Sequence, residues 1–224
     1  PAVDSADTDV TGGDTGMIVS DSPVAPGDSV TVTLEDGDLD TDPAAVETVS
    51  IAGANAVTGE TEIITLTETG PATGIFSADV DTSYTAAPGA DGDGVFNVID
   101  GHDIVFDYAD SFSANGGPAA DSCTSSFVDN TNSAVITGPS GDHNTTTHDV
   151  TGTTDPFSTV TMPDPAGGPD LSVVADASGT FVFPGVVFPE GTTVFSVTSE
   201  DISGNVASDD QSILVDTRNT ITIT

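Results

Sequence analysis

Apolar and polar residues alternate with a period of two along most of this chain. At residues 29–34 (Ser-Val-Thr-Val-Thr-Leu), the apolar side chains fall on one face of an extended strand and the hydroxyls on the other. Turn sequences such as Pro-Gly-Asp at 26–28 separate these runs, and no window combines helical periodicity with capping residues. The pattern therefore predicts an all-β fold built from short strands.

The predicted strands form two groups. In the first half of the chain they cover residues 29–34, 46–52, 61–68, 74–80, 94–98 and 103–108. In the second half they cover residues 134–137, 148–152, 159–162, 171–175, 180–183, 193–198 and 212–216. Short strands at this spacing are typical of a Greek-key sandwich of roughly 100 residues. The predicted fold class is therefore all-β, with two tandem immunoglobulin-like β-sandwich domains.

A turn-rich stretch at 109–132 separates the two groups, and we expect the domain boundary near residue 125. The domains are assigned to 17–118 and 133–217, with a linker at 119–132 between them. Residues 1–16 carry few apolar side chains and are predicted to form an acidic tail or linker. Residues 218–224 form a surplus alternating strand that follows the completed second domain.

The charge of the chain restricts its partners. There are 37 acidic residues and one basic residue, Arg218, and the formal net charge is −36. Binding to nucleic acid or to anionic lipid depends on Lys and Arg side chains that displace counterions, so neither partner is expected. No apolar run reaches the length of a membrane span, so membrane insertion is not expected.

The mutual repulsion of so many carboxylates must be offset by the surroundings. Salt screens it, because the Debye length falls to about 3 Å at 1 M ionic strength. Asp-rich loops also bind divalent cations directly. Both routes favour a saline or calcium-containing extracellular environment. The alternative is that the acidic residues simply keep a secreted protein soluble.

Motifs for catalysis are scarce in this sequence. Cys123 is the single cysteine and has no basic neighbour that would lower its pKa. Ser29 follows Gly-Asp but begins an alternating strand, not the strand-to-helix elbow of a serine hydrolase. There is no Gly-x-Ser-x-Gly motif and no phosphate-binding loop. We therefore do not expect an enzyme.

The strongest candidate site is the acidic loop at 36–47. Its acidic residues match the spacing of a calcium-binding loop: Asp36, Asp38, Asp40, Asp42 and Glu47. Thr41 stands where an EF-hand has its turn glycine, and no helices flank the loop, so an EF-hand is excluded. Two interpretations remain, a Ca²⁺-bridged connection between strands and a solvated acidic loop.

Other candidate sites have weaker patterns. A second acidic group is either a further set of Ca²⁺ ligands or a set of ordinary turn residues: Asp91, Asp93, Asp100 and Asp103. The chain has three histidines, His102, His143 and His148. His143 and His148 are five residues apart and lie near Asp142 and Asp149 in the sequence. These are residue types of a zinc site, but surface-loop positions are the more common role for such residues. Asn144 begins an Asn-Thr-Thr glycosylation sequon.

Several motifs resemble those of prokaryotic surface proteins. The second half contains, in order, VTGTTDP at 150–156, ASGTF at 177–181, EGTT at 190–193 and EDISGN at 200–205. This order resembles the bacterial Ig-like repeats of large surface adhesins, in which a VDT-type ending leads into the next repeat. The first half contains APGD at 25–28, ETGP at 68–71 and TGIF at 73–76, and it resembles another prokaryotic cell-surface repeat. The resemblance implies an extracellular architecture rather than an activity.

Three functions are compatible with these observations. The favoured one is a filament or pilus-like subunit that adds its terminal strand to the sheet edge of another copy. The residues of that strand are Asn219, Thr220, Ile221, Thr222, Ile223 and Thr224. The alternative is a module pair from a longer adhesin stalk or S-layer protein. The third is a carbohydrate-binding module. Sugar-binding faces usually offer exposed aromatic rings, and besides its phenylalanines this chain has only Tyr84 and Tyr108 and no Trp. A glycan or a host-surface molecule is a possible ligand.

Overall fold

The computed structural model describes residues 13–218, and nearly all regular structure in that range is β. The single helical element there is a turn of 3-10 helix at Gly37–Leu39. The strands of the first part are β1 Met17–Ser20, β2 Val30–Glu35, β3 Thr48–Asn55, β4 Thr61–Glu68, β5 Ile75–Tyr84, β6 Val95–Val98, β7 Asp103–Asp110 and β8 Ala119–Ser126. Those of the second part are β9 Ala134–Gly138, β10 Gly141–His143, β11 Thr147–Thr154, β12 Thr159–Met162, β13 Leu171–Val174, β14 Thr180–Val187, β15 Gly191–Glu200 and β16 Val206–Val215.

The chain divides into two compact units between Asp129 and Asn130. The predicted fold class, an all-β sandwich protein, is confirmed. The predicted surplus strand at 219–224 and most of the predicted tail, residues 1–12, lie outside the described residues. Within residues 13–218, no helix is long and apolar enough to cross a membrane.

The first unit is one folded sheet with strand order β1-β2-β5-β4-β3-β7-β8, and β6 pairs in parallel with β5. Strict alternation builds its core, as on β2, where every second residue is fully buried. The central aromatic pair is Phe96 and Phe106, whose rings meet edge to face with centroids 6.5 Å apart. Such packing contributes beyond the area that the rings bury.

The first and last strands of this unit lie side by side and run in the same direction. The N–H of Ile18 donates to Asp121 Oδ2 at 2.9 Å, and Ser125 Oγ donates to Ser20 Oγ at 2.8 Å. Farther along, Val24 and Phe127 form a parallel bridge. The chain therefore enters the unit at one end and leaves it at the other.

The second unit is a sandwich of two sheets. Five strands have the order β10-β16-β15-β12-β13, and three have the order β14-β11-β9. Phenylalanines dominate the layer between the sheets, and Phe181, Phe183, Phe188 and Phe195 are all buried. The chain again enters and leaves at opposite ends, because β10 pairs in parallel with β16 in the register His143 to Val215.

Three strands were not predicted from the sequence. Strands β1 and β10 are short, and β8 occupies residues 119–126, which the sequence analysis assigned to the linker. That assignment is corrected: β8 pairs with β7 along its whole length, from Ala119–Asp110 to Ser126–Asp103. Its residues are small or polar and only Ser125 is buried, so the strand is held by its ladder and carries no hydrophobic alternation.

Candidate cation-binding clusters

Carboxylates in this protein take backbone N–H groups as partners. Glu62 accepts hydrogen bonds from the N–H of Gly92 at 2.9 Å, of Asp93 at 3.3 Å and of Gly94 at 2.8 Å. In the second unit, the carboxylate of Asp176 accepts hydrogen bonds from the N–H groups of Ser178 and Thr180 in a turn. Charge-assisted hydrogen bonds of this kind stabilise loops without any cationic side chain.

The acidic loop contributes to a cluster of three carboxylates, Asp40, Glu47 and Glu68, whose ligand oxygens lie within 4.8 Å of one another. Asp40 and Glu47 come from the loop after β2, and Glu68 is the last residue of β4. The β3–β4 ladder brings them together, because the N–H of Glu68 donates to the carbonyl of Glu47 at 2.9 Å. Three anionic groups at this spacing repel each other unless a cation or a proton lies between them.

Two oxygens of this cluster accept no hydrogen bond. Glu47 Oε1 accepts from the N–H of Thr41 at 3.1 Å and of Asp42 at 2.7 Å. Its other oxygen, Oε2, is buried without a hydrogen-bond partner, and so is Oδ1 of Asp40. Buried carboxylate oxygens without donors are costly, and Ca²⁺ prefers hard oxygen ligands of this kind. The donor set therefore fits a hard divalent cation.

Glu68 is 4% exposed and is anchored by the turn that follows β4. Its Oε1 accepts from the N–H of Thr73 at 2.8 Å and of Gly74 at 3.0 Å. Burial alone raises the pKa of this carboxyl, but the hydrogen bonds from Gly74, Thr73 and Glu47 outweigh burial and lower the pKa to about 2. Glu68 is therefore charged at neutral pH, as a metal ligand must be.

The remaining acidic residues of the 36–47 loop lie outside this cluster. Asp36 is buried, and its Oδ1 caps the 3-10 turn by accepting from the N–H of Asp38 at 3.0 Å, while Asp38 itself is exposed. Asp42 is also exposed and accepts from the N–H of Ala44 at 3.1 Å. The EF-hand-like spacing therefore does not produce an EF-hand-like ring of ligands, because the chain turns at Gly37–Leu39 and separates alternate side chains.

Asp36 instead forms a hydrogen bond with the hydroxyl of Tyr108, which donates to Asp36 Oδ2. Burial and this hydrogen bond raise the pKa of Tyr108 well above its ordinary value. The ring of Tyr108 is only 6% exposed, so it is not available to stack on a sugar. This position removes one of the two tyrosines on which the carbohydrate-binding hypothesis depended.

A second cluster joins Glu60, Glu62 and Asp93, again with ligand oxygens within 4.8 Å. Both glutamates are buried, and burial raises the pKa of Glu60 although the N–H groups of Asn97 and Gly89 act in the opposite direction. Their oxygens already accept hydrogen bonds: Glu62 from the loop N–H groups described above, and Glu60 from the N–H of Asn97 on β6 at 3.1 Å. This cluster therefore shapes the loop before β6 through its own hydrogen bonds.

Other residues proposed from the second acidic group have separate roles. Asp91 Oδ1 accepts from the N–H of Thr61 at 2.8 Å, and Asp100 Oδ1 accepts from the N–H of Asp129 at 3.0 Å. Asp103 is the first residue of β7 and pairs with Ser126 of β8. Among residues 13–218, Asp93 is the one member of this group that joins a cluster of carboxylates.

The glutamates at the cluster centres, Glu60, Glu62 and Glu68, were missed in the sequence analysis. They stand on or beside a predicted strand, where an acidic residue is normally assigned to the solvent face. Their spacing carried a signal, because Glu62 and Glu68 are six residues apart and so lie on the same face of β4 as Ile64 and Leu66.

The remaining candidate residues lie outside these carboxylate clusters. Asn144 is exposed in the turn after β10, and Cys123 is half-buried on β8, where burial raises the pKa of its thiol. His102 is buried, and its Nδ1 lies 3.1 Å from Nδ2 of Asn55. His143 and His148 lie together in the second unit, with ring centroids 4.3 Å apart.

Comparison with known proteins identifies no family. No family model matches the sequence, and no curated protein matches it. Among solved structures, the tetra-tandem repeat in the extending region of a large adhesion protein is 20% identical over 90% of this chain and 49% of that chain, with a TM-score of 0.42. This chain thus spans about half the length of that structure.

Two other solved structures are similar at lower TM-scores. A 1.5-MDa bacterial ice-binding adhesin is 16% identical over 91% of this chain and 66% of that chain, with a TM-score of 0.31. The red sea bream transglutaminase is 10% identical over 89% of this chain and 31% of that chain, also with a TM-score of 0.31. Because all these TM-scores lie below 0.5, none of the likenesses bears on function.

Proposed function

We propose that this chain is a load-bearing spacer, a pair of β-sandwich modules within an extracellular cell-surface protein. The observation that carries the proposal is that, in each unit, a segment near the start of the chain pairs in parallel with a segment near its end, as in the Val24–Phe127 bridge and the β10–β16 pairing. A pulling force applied at the two ends of such a unit acts along these paired segments. The hydrogen bonds between them are then loaded in shear and must break at the same time, which raises the force needed to unfold the unit.

The chemistry of the surface supports an extracellular setting. A net charge of −36 is tolerated best where salt or divalent cations are abundant. The carboxylates that bind loop N–H groups also stiffen the modules without disulfides or Lys-based crosslinks. A stalk or adhesin module needs these properties and needs no active site.

Single-molecule force spectroscopy tests the load-bearing role. The N–H of Asp216 donates to the carbonyl of His143 at 2.8 Å and extends the β10–β16 pairing. We expect Asp216→Pro, which removes this donor, to lower the unfolding force of the second unit. Asp216→Ala keeps the N–H and is the matched control. Equal forces in both variants would overturn the proposal, as would unfolding of the wild-type unit at forces near the detection limit.

Antibody labelling tests the cellular location. The source cells, left intact, should bind an antibody raised against residues 130–218. Staining that appears only after the cells are permeabilised would contradict an extracellular spacer.

Ca²⁺ is the cation that we propose for the Asp40–Glu47–Glu68 cluster. It would take the two unpartnered oxygens, Asp40 Oδ1 and Glu47 Oε2, as ligands and would join the loop after β2 to the end of β4. The competing arrangement is a proton held between the carboxylates of the cluster, whose oxygens lie within 4.8 Å of one another.

Calorimetry with matched variants tests whether Ca²⁺ binds at this cluster, and a wild-type chain that binds no Ca²⁺ would favour the shared proton. Glu47→Gln removes a proposed ligand, and Asp42→Asn removes the same charge from an exposed residue of the same loop. We expect Glu47→Gln to weaken Ca²⁺ binding by about tenfold or more, because it removes a carboxylate that would coordinate the ion directly, and Asp42→Asn to change it little. Equal weakening by both variants would show a solvated acidic loop without a defined site.

Filament assembly by strand addition is a second candidate. Its donor strand, residues 219–224, lies outside the described residues, but the described part offers an acceptor edge. Strand β13 ends the five-stranded sheet, and Val174 on it is 64% exposed. An exposed edge with an apolar side chain is a template for an added strand.

Electron microscopy of purified chain tests this second candidate. Fibres should form in the wild type and disappear when residues 219–224 are deleted or when Val174→Lys places a charge on the edge. Discrete particles in the wild type would remove the filament hypothesis and leave the spacer.

A further inference from the structure

The second unit contains a histidine pair that neither the spacer nor the calcium cluster uses. His143 is the last residue of β10, and His148 is the second residue of β11, so a short loop at 144–146 joins them. Their ring centroids are 4.3 Å apart, with planes inclined by 57°. Both side chains are half-buried, so the rings are partly fixed and still accessible.

The core holds this pair in place. His148 pairs with Val186 across the β11–β14 ladder, and its ring lies against the buried ring of Phe188 at a centroid distance of 6.3 Å. The loop itself is tied down because the N–H of Phe188 donates to the carbonyl of Thr146 at 2.8 Å. The geometry of the two rings is therefore present before any ligand arrives, which reduces the entropy that binding costs.

Backbone carbonyls determine which nitrogen of each ring carries the proton. Nε2 of His143 lies 3.1 Å from the carbonyl oxygen of Ser140, and Nε2 of His148 lies 2.7 Å from that of Thr145. A carbonyl oxygen only accepts hydrogen bonds, so each Nε2 must be the protonated nitrogen. In the neutral rings, both Nδ1 atoms therefore carry a free lone pair. Metal-binding histidines commonly show this arrangement, with the second nitrogen donating to a carbonyl.

Negative charge surrounds the pair. Asp142 and Asp216 line a shallow depression beside His143, together with Asn144 and Leu214. Asp149 follows His148 in the sequence and accepts a hydrogen bond from the N–H of Gly185. These carboxylates raise the local concentration of cations without occupying the Nδ1 atoms.

We propose that His143 and His148 bind one divalent transition-metal ion through their Nδ1 atoms, with water completing the coordination. Imidazole pairs favour Cu²⁺, Ni²⁺ and Zn²⁺ over Ca²⁺ and Mg²⁺, and Cu²⁺ binds most tightly in this series. Such an ion would link the end of β10 to the start of β11, next to the parallel β10–β16 pairing. This site is independent of the proposed Ca²⁺ cluster, which lies in the other unit.

Titration of the whole chain with Cu²⁺ tests the proposal. High salt and excess Ca²⁺ are included, so that carboxylates contribute little to the signal. We expect one Cu²⁺ per chain by calorimetry and coupling to two imidazole nitrogens in the electron paramagnetic resonance spectrum. Zn²⁺ should compete for the same site and raise the thermal unfolding temperature of the chain, because it binds only the folded pair.

Three variants complete the test. His143→Ala and His148→Ala should each weaken Cu²⁺ binding by about tenfold or more and remove one nitrogen from the spectrum. Asn144→Ala changes the loop between them and should leave binding unchanged. Circular dichroism confirms that each variant is folded. Binding that survives both histidine substitutions, or a wild-type spectrum without two nitrogens, would overturn the proposal.

Discussion

At the scale of single residues, the chain replaces ion pairs with hydrogen bonds between carboxylates and the backbone. Glu62 organises three consecutive loop N–H groups, and Glu68 organises the turn at Thr73 and Gly74. Such bonds need the charged form of the acid, since only the carboxylate accepts through both oxygens. Because the fold lowers the pKa of Glu68, the stability of the turn that Glu68 organises must depend on pH.

Glu68 gives the clearest pH prediction. Its pKa falls from an ordinary value of 4.5 to about 2 in the folded protein, so folding favours its charged form. The stability that it contributes is fully present above pH 4.5 and is lost as the pH falls toward 2. We expect Glu68→Gln to be less stable than wild type at neutral pH, and the difference to shrink across this window. Denaturant unfolding in chelator at several pH values measures it, and a constant difference would contradict the assignment.

Tyr108 gives a second prediction at this scale. Tyr108→Phe leaves Asp36 Oδ2 buried without its donor, which should destabilise the first unit by about 1–3 kcal/mol. Tyr84→Phe is the matched control, because Tyr84 Oη donates to Asp129 where the side chains are only partly buried. Chemical denaturation compares the two variants, and equal losses would show that burial of Asp36 is not the cause.

At the scale of elements, the packing of β3 depends on the absence of a side chain at Gly53. A Cβ at this position would lie 2.8 Å from Ile64 Cδ1 and 3.1 Å from both Phe96 Cζ and Phe106 Cδ1. An added methyl group at this position is therefore overpacked: the end of the Ile64 side chain must move, and the two rings must shift by a few tenths of an ångström. This is the usual consequence of overpacking.

Gly53→Ala should therefore destabilise the first unit by about 1–3 kcal/mol. Ile64→Val removes the nearest colliding atom and alone should cost about 0.5–1.5 kcal/mol. The double variant should lose less stability than the sum of the two, because the substitutions share one contact. Gly117→Ala, where no atom lies within 4 Å of the added Cβ, controls for the loss of a glycine. Additive losses in denaturant unfolding would rule out this contact as the cause.

At the scale of the whole molecule, a net charge of −36 opposes folding at low ionic strength. Raising the salt to 1 M shortens the Debye length to about 3 Å and should raise the thermal unfolding temperature by several degrees. Ca²⁺ at the same ionic strength should raise it further, and chelator should cancel only that increment. Scanning calorimetry measures both effects. An unfolding temperature that does not respond to salt would show that the carboxylates are already neutralised within the fold.

The all-β class and most of the strands follow from the sequence pattern alone. Alternation suffices for this where one face of a strand is buried, as on β2, because the period of two is a local property. It did not reveal β8, whose residues are small and polar and whose order comes from its ladder with β7. That strand exists only because a neighbouring strand supplies hydrogen-bond partners.

Which acidic residues meet depends on the tertiary fold. The sequence placed five of them in one loop, but Asp40 and Glu47 find their third partner in Glu68, at the end of another strand. On β4, Ile63 is 70% exposed while Glu62 and Glu68 are buried, the reverse of what their polarity alone predicts. Loop N–H groups and neighbouring carboxylates, which are remote in sequence, stabilise that arrangement. Sequence periodicity is enough to locate a strand. Which of its faces is buried, and which carboxylates meet beside it, depends on the strands and loops that pack around it.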